Sequence, residues 1–160
     1  MIIFSLNTGL RQANVLGLTW NQVDLDRKVC WYHPDEMKGG NALGVALNDT
    51  AVEVLKRKLG KHKKFVFVNK RNNPIGGINS RYWKKTLELA EIEDFTWHNL
   101  RHTWASWLVQ RGVPLRVLQE MGGWKTLRMV QRYAHLAPEH LHQHAQVLHE
   151  LVTFDTNGAS

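Results

Sequence analysis

The sequence predicts a mainly helical α+β domain with one small antiparallel β-hairpin. Three observations carry that expectation. Most apolar residues recur at three- and four-residue spacings, bounded by capping residues and glycine stops. Two neighbouring segments, Val29–Tyr32 and Leu43–Leu47, read as strands around a glycine turn. The chain has 160 residues, 43% apolar and 22% charged, which suits one ordinary globular core.

In order along the chain, Thr8-Gly9-Leu10 interrupts an opening apolar segment, and Val15, Leu16 and Leu18 give Arg11–Leu18 a helical spacing. Val29-Cys30-Trp31-Tyr32 is β-branched and aromatic, hence a strand. Gly39 and Gly40 make a turn because glycine reaches positive φ at little cost, and Lys38 falls near the hairpin tip. Asn48-Asp49-Thr50 offers N-caps for a helix striped by Val52, Val54, Leu55 and Leu59 and ended by Gly60. Phe65–Val68 reads as a short strand before an Asn72-Asn73-Pro74 turn. A helix from Asn79 or Ser80 to about Ala90 carries Tyr82, Trp83, Leu87 and Leu89 on its apolar face. Thr96 caps the next helix, Trp97–Arg111, which Gly112 stops; Leu100, Trp104, Trp107 and Leu108 share one face. Pro114 opens a helix bearing Leu115, Leu118 and Met121 that halts at Gly122-Gly123. Thr126 caps a helix with Leu127, Val130 and Ala134, and a last helix after Pro138 holds Leu141, Ala145, Leu148 and Val152. Residues 1–152 form one domain on this reading, with 153–160 a frayed tail.

The net charge is +7. Lys56, Arg57, Lys58, Lys61, Lys63, Lys64, Lys70 and Arg71 follow one another without an intervening Asp or Glu. A one-signed run this dense fits phosphate contacts better than a merely solvated face. Lys56, Arg57, Lys61, Lys63, Lys64, Lys70 and Arg71 are therefore the candidate DNA-binding residues. No apolar run approaches the ~18 residues a membrane span requires, and Met1–Phe4 is too short for a signal peptide. Cys30 is the lone cysteine, which excludes a disulfide scaffold and fits a reducing compartment. It reads as a small buried hydrophobe. Trp104 and Trp107 read as core or interface anchors. His135, His140, His142, His144 and His149 cluster late, with His140 and His144 one helical turn apart. No thiol or carboxylate completes a ligand set, so no metal site is assigned.

The chemistry-bearing residues form an ordered constellation. His98 and Arg101, at i and i+3, project from one side of a helix. Arg11 follows the Thr-Gly break at a helix start, Lys38 sits on the hairpin, and Tyr133 follows Arg132 near a helix end. Each alone is unremarkable: a surface pair, a solvated lysine, a half-buried tyrosine. Together and in this order they carry more.

Thr8-Gly9-Leu10-Arg11, Lys38-Gly39-Gly40, His98-Asn99-Leu100-Arg101-His102-Thr103, Met121-Gly122-Gly123-Trp124 and Val130-Gln131-Arg132-Tyr133-Ala134-His135-Leu136 resemble the tyrosine recombinases, or phage-type integrases. The resemblance runs from about Asn7 to Leu136 and implies the catalytic-domain fold of that family. It implies site-specific DNA strand exchange, integration or excision, without metal or other cofactor. Arg11 and Arg101 match the arginines that bind the scissile phosphate, and His98 matches the histidine that assists them. Lys38 matches the hairpin general acid. Tyr133 matches the nucleophile that forms a 3′-phosphotyrosyl link. Trp124 stands where many members have a second histidine and some have tryptophan, while His102 is assigned a structural place. Asn14 departs from a carboxylate that often supports the first arginine.

The residue types suit that chemistry. Attack on a phosphodiester builds charge on non-bridging oxygens, which two guanidinium forks can hold bidentately. The 5′ oxygen needs a proton to leave, and a lysine with a pKa lowered by neighbouring cations supplies one. A tyrosine of ordinary pKa ~10 must lose its proton, which nearby Arg and His⁺ would favour. The indole of Trp124 donates only, so it holds a phosphate or packs and does not transfer protons.

The resemblance further implies double-stranded DNA as partner and further copies of the chain in a tetrameric synapse, with the isolated domain a monomer or weak dimer. Accessory DNA-bending proteins also fit. The expected setting is the cytoplasm of a bacterium, with no membrane partner. Family members carry an N-terminal domain that clamps the DNA; it is expected to be missing here, with the catalytic domain trimmed at its first helix. Two alternatives remain open: a non-catalytic helical DNA-binding module, and a type IB topoisomerase-like DNA relaxation, against which the short spacing argues.

Overall fold

The computed structural model describes residues 1–36 and 40–137. It begins with helix α1 (Ile2–Thr8), which Gly9 ends at φ 62°, its N–H bonded to the Ser5 carbonyl at 2.9 Å. Only glycine adopts that left-handed C-cap cheaply. Short helix α2 (Gln12–Leu16) follows, with Arg11 as its extended N-cap residue. Strands β1 (Val23–Asp24), β2 (Val29–Tyr32) and β3 (Leu43–Ala46) then form an antiparallel sheet in the order β1-β2-β3. Cys30 pairs with Val45 and Tyr32 with Leu43, and all four side chains are buried on one face. That is the two-residue alternation a half-covered sheet requires. Helix α3 (Asp49–Lys56) is capped by the Asn48 side chain, which accepts from the Ala51 N–H at 2.9 Å.

These elements close a first core of Phe4, Leu10, Val15, Leu18, Cys30, Tyr32, Val45, Leu55, Val66 and Phe67 among others. Burial pushes the Cys30 thiol up to about 12, so it behaves as the apolar filler expected of it. Helix α4 (Ser80–Leu89) is capped by Asn79 and buries no residue fully. Helices α5 (Trp97–Gln110) and α6 (Leu115–Gly122) build a second core of Trp104, Ala105, Val109, Leu118, Val130 and Tyr133. Because α5 packs on α1, on α6 and on the segment carrying Tyr133, it joins the two cores.

The structure departs from the sequence expectations at five places. Phe65–Val68 is not a strand: Phe65 bridges Thr19 and Val68 bridges Pro74, two different partners with no ladder. Its apolar content comes from consecutive burial of Val66 and Phe67 in the first core. The segment after Thr126 is not an α-helix but two 3₁₀ stretches, Leu127–Met129 and Gln131–Leu136. Its buried residues, Val130 and Tyr133, are three apart, the 3₁₀ period, while Leu127 and Ala134 are exposed. On α4 the inner face is Trp83 and Leu87, with the Trp83 indole bonded to the Phe95 carbonyl at 3.0 Å; Tyr82 is 72% exposed. Trp107 faces outward on α5 and is no core anchor. Finally, β1 was not anticipated, while α1 answers to the first helix expected at Met1. Lys38 and the expected helix after Pro138, with its histidines, lie outside the described residues.

Candidate active site

Helix α5 places His98, Arg101 and His102 at i, i+3 and i+4, one continuous side of a helix. Thr96 and Asn99 form a capping box at its start, which fixes the first turn beneath His98. Arg101 is 4% exposed, and its guanidinium donates to the Gly9 carbonyl at 2.6 Å and the Gly122 carbonyl at 2.7 Å. One side chain thereby ties the end of α1 to the end of α6. The two bonds use two of five N–H donors, so Arg101 keeps donors for a ligand. Its carbon lies 3.9 Å from the centre of the Trp124 ring. Burial and the neighbouring Arg11 lower its pKa to about 10, against the pull of Tyr133, and it stays charged at neutral pH.

Trp124 is held by its own backbone: its N–H donates to Gln119 at 3.1 Å, and its carbonyl accepts from the Gln119 amide, also at 3.1 Å. Its ring stacks on Trp104 at 6.1 Å between centroids. Glycine is required at both approaches to these rings. A Cβ on Gly9 would lie 2.2 Å from the Trp104 ring, and one on Gly122 would lie 1.9 Å from the Trp124 ring.

Tyr133 is brought in by the 3₁₀ stretch Gln131–Leu136, with its N–H bonded to Val130 at 3.0 Å. Its hydroxyl lies 2.5 Å from Nδ1 of His102. His102 in turn meets His98 edge-on at 4.8 Å. Arg11, His98, Arg101, His102, Trp124, Met129, Arg132 and Tyr133 line one cleft of about 260 Å³. Among the described residues three guanidinium groups and no carboxylate face it, so its field favours an anion. Nη1 of Arg11 is buried with no hydrogen-bond partner among the described residues. A buried unpaired guanidinium nitrogen is costly, and an anionic ligand in the cleft would satisfy it.

Five of the six residues expected in the site thus converge: Arg11, His98, Arg101, Trp124 and Tyr133. The sixth, Lys38, lies outside the described residues. None of the basic run, Lys56, Arg57, Lys61, Lys63, Lys64, Lys70 and Arg71, lines the cleft. These seven are exposed on the end of α3 and the loop beyond it, where Lys56 pairs with Glu53 at 3.5 Å. Asn14 is buried, and its amide donates to the Glu36 carbonyl at 3.2 Å. His102 and Arg132 were not expected in the cleft. The four-residue step from His98 was the signal for His102, since it puts both imidazoles on one side of α5.

The electrostatics also correct an expectation. Burial raises the Tyr133 phenol above its ordinary value, and Arg132 and Arg101 only partly offset this. Burial and then the arginines lower His98; burial, then His98 and the arginines, lower His102. The free cleft therefore presents a neutral phenol and neutral imidazoles at pH 7: the arginines favour the phenolate as expected, but the imidazolium expected to help them is absent.

The fold is that of tyrosine recombinase catalytic domains. The integrase of transposon Tn1549, in complex with a circular intermediate DNA, superposes with a TM-score of 0.71 at 23% identity, over 82% of this chain and 52% of that one. The catalytic domain of bacteriophage HP1 integrase does so at 0.64 and 26% identity, over 91% and 79%. The chain belongs to the phage integrase family, whose profile matches residues 1–140. It is 53% identical to the integrase of Salmonella phage P22 across 91% of this chain and 41% of that protein. It is 30% identical to the tyrosine recombinase XerC of Lacticaseibacillus casei across 84% and 48%. The chain therefore spans about half the length of the curated relatives it matches.

Proposed function

We propose that this chain is the catalytic part of a site-specific recombinase that cuts and rejoins duplex DNA through a 3′-phosphotyrosyl intermediate. The observation that carries this is the convergence of the Tyr133 hydroxyl, the tied Arg101 and the unpaired Nη1 of Arg11 on one anion-favouring cleft. The scissile phosphate sits between the two guanidinium groups, which neutralise charge as the phosphorane forms. Tyr133 Oη attacks phosphorus in line with the 5′ oxygen, and Lys38 protonates that oxygen as it leaves. His98 and the Trp124 indole donate to the phosphate. The phosphotyrosyl bond conserves the phosphodiester energy, so religation by a 5′ hydroxyl is the same step reversed. The arginines supply the charge that a metal would otherwise supply. The exposed basic run tracks the DNA backbone away from the cut. Duplex DNA is the partner, and ordered exchange calls for four copies in a closed cyclic assembly, with DNA-bending proteins as optional helpers. The setting is the bacterial cytoplasm. No helix among the described residues is long and apolar enough to cross a membrane.

The test is incubation of the chain with a pool of nicked duplexes of randomised central sequence, in which the nick lets a short 5′ fragment diffuse away. A denaturation-resistant adduct, joined through a DNA 3′ phosphate and formed equally in EDTA, is expected. DNA retention without any adduct supports the non-catalytic module instead. Religation without partner exchange, in the presence of two sites, supports simple relaxation.

A further inference from the structure

The fate of the Tyr133 proton is unassigned in this scheme. Attack breaks the Oη–H bond, and a raised phenol pKa means the proton is still in place when DNA binds. The cleft offers few acceptors. Of its eight lining side chains, three are guanidinium groups and one is an indole, all donors only. The Met129 thioether is a weak acceptor. Only the imidazoles of His98 and His102 carry a basic lone pair, and it is His102 whose Nδ1 lies 2.5 Å from the Tyr133 hydroxyl. Among the described residues, the charged and titratable groups facing His102 are His98 and Arg101 on α5, and Arg132 and Tyr133 on the final 3₁₀ stretch. None is a carboxylate. Burial first, and then His98, Arg132 and Arg101, hold the imidazole below its ordinary value, with its lone pair free to accept the hydroxyl.

We propose that His102 is the general base of strand cleavage, taking the phenolic proton of Tyr133 on Nδ1. This rests on the reading of Tyr133 as nucleophile. As Oη–P forms, Oη–H breaks and Nδ1–H forms. The P–O5′ pair leaves with the 5′ oxygen, which takes its proton from Lys38. In rejoining, the 5′ hydroxyl attacks as its proton passes to Lys38, Oη leaves, and His102 returns the Nδ1 proton to Oη. Base and acid are thus different residues, one serving the attacking oxygen and one the leaving oxygen.

The test uses the nicked-duplex pool, with wild type, Tyr133→Phe, Lys38→Ala and His102→Gln. Glutamine keeps an acceptor oxygen for the hydroxyl but cannot take its proton. His102→Gln is expected to cleave about 10²–10⁴-fold more slowly at pH 7. Its rate should climb tenfold per pH unit toward pH 9, whereas wild type levels off once His102 is neutral. A duplex with sulfur at the 5′-bridging position should rescue Lys38→Ala and leave His102→Gln defective. Wild-type rate and pH profile in His102→Gln would reduce His102 to a packing role. Rescue of His102→Gln by sulfur would place it on the leaving group. Either result overturns the proposal alone, whereas an adduct in Tyr133→Phe overturns the nucleophile reading beneath it. Should the glutamine variant not fold, ¹⁵N NMR of the wild-type imidazole decides. The proposal expects the proton on Nε2, and a rise in the His102 pKa in Tyr133→Phe, because the lost O–H had favoured the neutral ring. A proton on Nδ1 overturns it.

Discussion

Two arginines that look alike in the sequence have opposite relations to stability. Arg101 joins the backbone ends of α1 and α6 through two charge-assisted bonds, each worth about 1.5–3 kcal/mol. Arg101→Ala should therefore cost about 3 kcal/mol or more and abolish cleavage together. Arg11 holds a buried nitrogen without a partner, so Arg11→Ala should leave stability unchanged or raise it by up to about 1–3 kcal/mol, while still abolishing cleavage. Urea unfolding beside the adduct assay measures both; equal destabilisation by the two would contradict the assignment. Arg11, His98, Arg101, Trp124 and Tyr133 were legible because each sits in a distinctive local string. That burial outweighs the arginines at Tyr133 was not, since burial depends on how α5 meets the final 3₁₀ stretch.

At the scale of elements, the glycine turns set how close the aromatic rings come to the backbone. Gly9 combines φ 62° with a clash at Trp104, and Gly122 clashes with Trp124. Gly9→Ala should cost about 1–3 kcal/mol from overpacking, with a further ~1 kcal/mol from the left-handed backbone. Because Gly9 also presents its carbonyl to Arg101, cleavage should fall with stability; a neutral effect in urea unfolding would show that α1 and α5 are not so closely tied. Caps and stops were the readable part of these elements. Asn48, Asn79 and Thr96 start the helices expected of them, and Gly112 and Gly123 end theirs at positive φ. The unread part depends on tertiary contact. Phe65–Val68 is apolar because of the core it enters, not because of a ladder.

For the whole molecule, charge sets the response to solution conditions. His98 and His102 both have depressed folded values, so below the unfolded value of 6.5 the unfolded chain binds more protons. Their contribution is intact above pH 6.5 and is lost as pH falls through the depressed folded values. Wild type should lose thermal stability between pH 7.5 and pH 5 more steeply than the His98→Gln/His102→Gln double variant; parallel curves would contradict the depressed values. In DNA binding, replacing Lys63, Lys64 and Lys70 with alanine should reduce the slope of log affinity against log salt by about 0.9 for each true phosphate contact. An unchanged slope would remove that run from the interface. The central claim is that Tyr133 breaks the DNA backbone, and Tyr133→Phe tests it most directly, since the change deletes one hydroxyl and keeps the ring in the second core. Wild type should form a denaturation-resistant adduct on the nicked-duplex pool, and Tyr133→Phe should form none while retarding the same DNA in a native gel. An adduct of wild-type yield in Tyr133→Phe would contradict the account.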